Sequence, residues 1–190
     1  MIESDEQLIM AVAAGDREAF AALYRRRRPD VYRFALHMTG AAATAEDVAQ
    51  DVFMTVIQDA RRYAPSRAAV LPWLLGIARN VARRRLSERR YEPLPEGGGE
   101  PAVHADPADG IARARQADML RSALSALPVP YREAVVLCDL QELTYQDAAE
   151  AAGCAIGTVR SRLHRGRQLL AAKMRGERHA FRGRPVPGWL

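Results

Sequence analysis

Cysteine is nearly missing from this chain: Cys138 and Cys154 are the only two among 190 residues. They form no C-x-x-C pair, and the histidines are scattered as His37, His104, His164 and His179. A structural zinc site therefore lacks its ligand set. Two buried thiols in a reducing cytoplasm are expected instead. Aromatic residues are also scarce, at 6%, and the apolar residues are mainly Ala, Leu and Val. That mix favours helix over sheet. Long apolar runs are missing too. The longest, "AAVLPWLLGIA", falls far short of the roughly 20 residues that span a bilayer, so no membrane insertion is expected. The acidic start "MIESDEQLIM" is not expected to act as a signal peptide. Catalytic signatures are lacking as well: there is no phosphate-binding glycine loop, metal-ligand cluster or nucleophile with partners, and "EGGGE" has no P-loop lysine. A non-enzymatic protein without cofactor is expected.

What the chain does have is segmented positive charge. The net charge is +5, with Arg far ahead of Lys. From Ala155 to Leu190 nine bases face one acid, Glu177, and six Arg lie between Arg79 and Arg90 against Glu88 alone. Residues 93–112 hold four acids and neither Arg nor Lys. Basic blocks of this kind suit a polyanionic partner.

The stretch "EPLPEGGGEPAVHADPADG", residues 92–110, has four prolines, four glycines and little to bury. It reads as a flexible or extended linker. The expected organisation is a helical domain over 1–92, a linker over 93–112, a second helical domain over 113–176 and a tail over 177–190. No segment of useful length alternates with period two, so the fold class is all-α, without a sheet.

Local signals place the helices. Ser4 with Gln7 forms a capping box and Gly15 a stop. Asp16 caps "REAFAALYRRRR", which Pro29 is expected to interrupt or kink; "DVYRFALHMTG" then stops at Gly40. Thr44 is expected to cap "AEDVAQDVFMTVIQDA", whose stripe is Val48, Val52 and Val56 with Ala49, Phe53 and Ile57. Residues 61–70 look irregular. A helix from about Leu71 to Arg90 takes Pro72 in its first turn. In the second half, one helix ends before Pro128 and another starts at Pro130. "TYQDAAEAAG" runs from a Thr144 cap to a Gly153 stop, and a last helix runs from near Ala155 past Leu170.

On a helical wheel Ile156, Val159, Leu163, Gly166 and Leu170 form a packing stripe. The opposite face carries Gly157, Ser161, His164, Arg165 and Gln168, with Arg160 and Arg162 on the flanks. A short helix, a glycine turn and a longer helix make the helix-turn-helix pattern, whose second helix reads the major groove. Arg can pair with guanine and Gln with adenine there. Arg160, Ser161, His164, Arg165 and Gln168 are thus candidate DNA contacts. On these residues alone, a free-standing helix-turn-helix regulator remains an alternative to any larger role.

"LTYQDAAEAAGCAIGTVRSRLHRGRQLL" resembles region 4 of bacterial extracytoplasmic-function sigma factors of the sigma-70 family. "DREAFAALYRRRRPDVYRFALHMTG", "AEDVAQDVFMTVIQDARRY" and "LPWLLGIARNVARRRLSERR" resemble successive parts of that family's region 2. The resemblance implies a dissociable specificity subunit of RNA polymerase, with promoter DNA as ligand and commonly an anti-sigma factor as inhibitor. It implies that Asp47, Gln50, Asp51 and Met54 hold the clamp coiled coil of the largest polymerase subunit, and that the second domain meets the flap of the second-largest. It implies that Asn80 touches minus-ten bases, with Arg79, Arg83, Arg84 and Arg85 on phosphates. It assigns the loop at 61–70, with Tyr63, to base capture, and Arg160, Ser161, His164 and Arg165 to the minus-thirty-five element. Trp73 matches a family position and is expected in the core. "AVLPWLL" lacks the aromatic that many members carry before that Trp, and "FRGRPVPGWL" matches no part of the family.

Overall fold

The computed structural model describes residues 4–65, 68–89 and 109–182. It is helical, with no strand among the described residues. α1 (Asp5–Ala13), α2 (Arg17–Thr39), α3 (Ala42–Asp59) and α4 (Val70–Arg89) make the first unit, with a 3₁₀ turn at Ala60–Arg62. α5 (Asp109–Ser125), α6 (Val129–Val135), α7 (Tyr145–Ala152) and α8 (Ile156–Arg182) make the second. A π-helical turn, Val136–Leu140, continues α6. Gly97, Gly98, Gly99 and Trp189 lie outside the described residues.

The caps follow local chemistry. The Gln7 amide donates to Ser4 Oγ at 3.2 Å, and the Ser4 amide donates to Gln7 Oε1 at 2.8 Å. Asp16 accepts from the amides of Glu18 and Ala19. Each such cap stabilises its helix by about 1 kcal/mol. Gly15 (φ +94°) and Gly40 (φ +74°) take left-handed turns that stop α1 and α2.

Four local expectations are corrected. Pro29 does not interrupt α2, which runs through it. The residue is exposed, and Leu23 before it and Val31, Phe34, Ala35 and Met38 after it are all buried. Burying a side chain of that size stabilises by about 1.5–3 kcal/mol, enough together to outweigh the roughly 3 kcal/mol of an interior proline. Thr44 is not the N-cap of α3: the helix starts at Ala42 after Ala41, and Thr44 lies buried in its first turn. The preceding Gly40 turn sets that start. Ile57 is 53% exposed, while the rest of the α3 stripe is buried. The thiols are half-buried rather than buried, and burial pushes Cys138 up to about 11.

α2 is the centre of the first unit, packed by α1, α3 and α4. One apolar core continues from there into the second unit, through Leu74, Leu75 and Ala78 to Ala148, Ala149, Ala151 and Ala152. α4 packs on α7. Gly76 permits this approach: a β-carbon there would lie 3.4 Å from the Ala151 carbonyl oxygen.

Polar contacts also join the units. The buried Arg132 guanidinium of α6 donates to the Met38 carbonyl near the end of α2. It donates as well to the Ser125 carbonyl at 2.5 Å and the Leu127 carbonyl at 3.1 Å. These carbonyls lie at or just beyond helix ends, where no intrahelical donor remains. Burial pulls the Arg132 guanidinium below its ordinary range. Gln141 Nε2 donates to the Asp30 carbonyl at 3.3 Å. No helix among the described residues is long and apolar enough to cross a membrane.

Candidate nucleic-acid interface

The α7–α8 pair is set by short-range chemistry. Thr144 Oγ1 accepts from the Asp147 amide at 3.1 Å and donates to the Asp147 carboxylate at 2.7 Å. The four buried residues of α7 are all Ala, which lets it sit close to α4 and α8. Gly153 turns the chain in the left-handed region at φ +61°. Such a conformation suits glycine and is strained for most other residues.

α8 then divides as the wheel predicts. Val159, Leu163 and Gly166 are buried. Arg160, Ser161, His164, Arg165 and Gln168 are exposed. Gly157 meets nothing within 4 Å of a β-carbon, so its backbone is open to an approaching ligand. Gln168 links the row: its Oε1 accepts from Arg165 Nη1 at 3.3 Å, and its amide nitrogen lies 3.0 Å from His164 Nε2. Ser161 donates its hydroxyl to the Thr158 carbonyl at 3.0 Å, so toward a ligand it offers acceptor lone pairs. The flanking Arg162 is half-buried, against Cys154.

Sequence reasoning missed Tyr145. It is 41% exposed beside the Thr144 cap, and the Arg160 guanidinium lies 5.5 Å from its ring centroid. A cation–π contact of this kind restrains the arginine. Periodicity does not signal it, because the two residues belong to different helices.

α4 carries the other expected DNA contacts, in unequal states. Asn80 is exposed, its Oδ1 accepting from Arg79 Nη1 at 3.2 Å. Arg79 and Arg83 do not project freely into solvent. Their Nε atoms lie 3.2 and 2.5 Å from the two carboxylate oxygens of Glu133 in α6. The angles fall outside hydrogen-bond geometry, so the attraction is that of close ion pairs. Glu133 is 1% exposed and was missed by sequence reasoning. Arg84 and Arg85 reach Asp51 of α3 at 3.5 and 3.0 Å.

That last contact separates Asp51 from its expected group. Asp47, Gln50 and Met54 are exposed on α3, whereas Asp51 is half-buried and ion-paired within the chain. The exposed Ile57 lies one turn beyond Met54 and adds apolar area to that face. Tyr63 is anchored: its hydroxyl donates to the Ala68 carbonyl at 3.0 Å, and its ring meets Trp73 edge-on at 5.4 Å. Burial raises its hydroxyl above the ordinary range. Trp73, expected in the core, is half-buried against that core.

Two family models match. Sigma-70 region 2 covers residues 23–91, and Sigma-70 region 4 covers residues 117–170. The ECF RNA polymerase sigma factor SigE of Mycolicibacterium smegmatis is 38% identical over 176 residues, spanning 88% of this chain and 68% of that protein. SigC of Mycobacterium tuberculosis is 32% identical over 172 residues, spanning 90% of this chain and 91% of its own. Two solved structures share the fold. CnrH, in complex with the cytosolic domain of CnrY, has TM-score 0.70 at 22% identity, covering 92% of this chain and 99% of that one. The sigma factor RpoE of Bartonella quintana, in complex with the anti-sigma factor NepR, has TM-score 0.65 at 24% identity, covering 82% and 96%.

The chain belongs to the extracytoplasmic-function RNA polymerase sigma factors of the sigma-70 family. Its two helical units are the parts with which that family directs promoter-specific initiation of transcription by RNA polymerase.

Proposed function

We propose that this sigma factor reads its promoter with two separate surfaces and docks on polymerase with a third. The exposed row Arg160, Ser161, His164, Arg165 and Gln168, directly after the Gly153 turn, carries the reading. It offers base-pairing donors and acceptors on a rigid helix, as a major-groove reader needs, and takes the minus-thirty-five element. Asn80 takes an exposed minus-ten base. Arg79, Arg83 and Arg84 take phosphates, which supply affinity without sequence information. Tyr63 supports the minus-ten loop by anchoring it on Trp73.

The exposed α3 face of Asp47, Gln50 and Met54 is the docking surface for the polymerase clamp coiled coil, with Asp51 joining once its arginines are released. The second unit meets the flap. The domain boundaries, at about residue 92 and residue 113, leave a linker that lets the two readers separate. The polymerase supplies all the chemistry, and this chain is no enzyme. It works in the cytoplasm, under an anti-sigma factor. The two solved neighbours, each held by a partner protein, agree with that control.

Run-off transcription with core polymerase across a promoter library tests the reading. Initiation dependent on both promoter elements is expected. No initiation on any promoter, with footprinting of duplex DNA by the protein alone, would overturn it in favour of a free-standing regulator.

A further inference from the structure

Glu133 presents an unusual combination. It is a carboxylate, 1% exposed, in a helix packed within the second unit. Both ion pairs it makes among the described residues come from the first unit, through Arg79 and Arg83. The two arginines are one turn apart on α4, so they share a face. A buried carboxylate is costly without a cationic partner, and each of these cations also favours an anion. The surrounding geometry points the same way. Gly76 brings α4 against the Ala151 backbone, and Arg132 grips the Met38 carbonyl across the same boundary.

We infer that Glu133 is an internal stand-in for promoter phosphate: it occupies Arg79 and Arg83 in the free chain and holds the two units closed until nucleic acid and polymerase draw them apart. Glu133 and a phosphate compete for the same two guanidinium charges, the carboxylate as a close ion pair and the phosphate through charge-assisted hydrogen bonds, so a phosphate gripped by both arginines weakens their hold on Glu133. Closure also buries the α4 face against α7 and fixes the distance between the two promoter readers. The inference rests on the proposed phosphate role of these arginines. It adds a competitor encoded in the same chain, acting without any second protein.

The test uses the full chain and a labelled single-stranded DNA of mixed sequence, because a phosphate grip is independent of sequence. Glu133→Gln keeps the shape and removes the charge. It should expand the free protein in small-angle scattering. It should also tighten DNA binding by about five- to tenfold, the low end of intramolecular coupling. The salt dependence should steepen by about 1.4 in log–log slope, since each phosphate contact to a single strand contributes about 0.7.

Gly76→Leu is the second variant. It wedges α4 from α7 while leaving Glu133 and both arginines intact, and it should shift binding in the same direction. It covers the case in which Glu133→Gln fails to fold. Unchanged affinity in folded Glu133→Gln and Gly76→Leu overturns the inference. If Arg79→Ala with Arg83→Ala still weakens binding in the Glu133→Gln background, the phosphate role survives and only the competition is lost. If that pair has no effect either, the phosphate role falls with it.

Discussion

Gly166 lies so close to Val135 that a β-carbon on it would stand 2.7 Å from Val135 Cγ2. The Tyr131 carbonyl oxygen would be 2.9 Å away. α8 therefore crosses α6 with backbone nearly touching backbone, and that crossing sets how the exposed face of α8 is presented. Gly166→Ala should gain about 1 kcal/mol of helix propensity. It should lose about 1–3 kcal/mol to overpacking. The loss should win, because a backbone carbonyl cannot swing aside as a side chain can. Urea unfolding of the full chain should show a lower midpoint, and an unchanged or higher one would mean the two helices separate at little cost.

Arg165 is exposed on the proposed reading face, with its partner Gln168 on the same helix. Arg165→Ala should reduce discrimination within the minus-thirty-five element by about 1–3 kcal/mol at one position. Holoenzyme competition between promoter variants measures it. A uniform loss across all variants would make Arg165 a phosphate contact instead.

Asn80 holds its amide in solvent beside Arg79. Asn80→Ala should flatten the preference at one minus-ten position in open-complex formation and leave core polymerase binding intact. Weaker binding to core polymerase would instead assign Asn80 to holding α4 in shape.

His37 predicts a pH dependence. Burial lowers its pKa from the ordinary value, and Arg121 and Arg33 lower it further. The folded chain thus keeps His37 neutral at a pH where the unfolded chain has already taken up a proton. Stability from this site is present above about pH 6.5, the ordinary histidine value, and is lost as pH falls below it. Urea midpoints should drop between pH 7.5 and 5.5, and His37→Asn should drop less. Equal drops in the two proteins would place the proton elsewhere.

Much of the fold was legible because helix ends obey local rules. Ser4, Asp16, Thr144, Gly40 and Gly153 act within a few residues of themselves, and each does what its type suggests. The apolar stripe of α8 was legible for the same reason, since a helix face depends only on spacing. The misreadings share a cause as well. Thr44 looked like a cap, yet the Gly40 turn starts α3 two residues earlier. Ile57 continued an apolar stripe, yet the described neighbours leave it uncovered. Pro29 locally disfavours a continuous helix, yet packing on either side carries α2 through it.

By itself, the sequence determined which segments are helical, where they stop and which side of α8 is free to touch a ligand. Tertiary structure alone decided what the charges do. Arg79 and Arg83 look like solvated bases until α6 places Glu133 between them, 50 or more residues further along the chain. Asp51 looks like a free acid until Arg85 arrives from α4. A helix face is set by bonds a few residues long. An ion pair is set by which distant segments meet, and only the packed core specifies that.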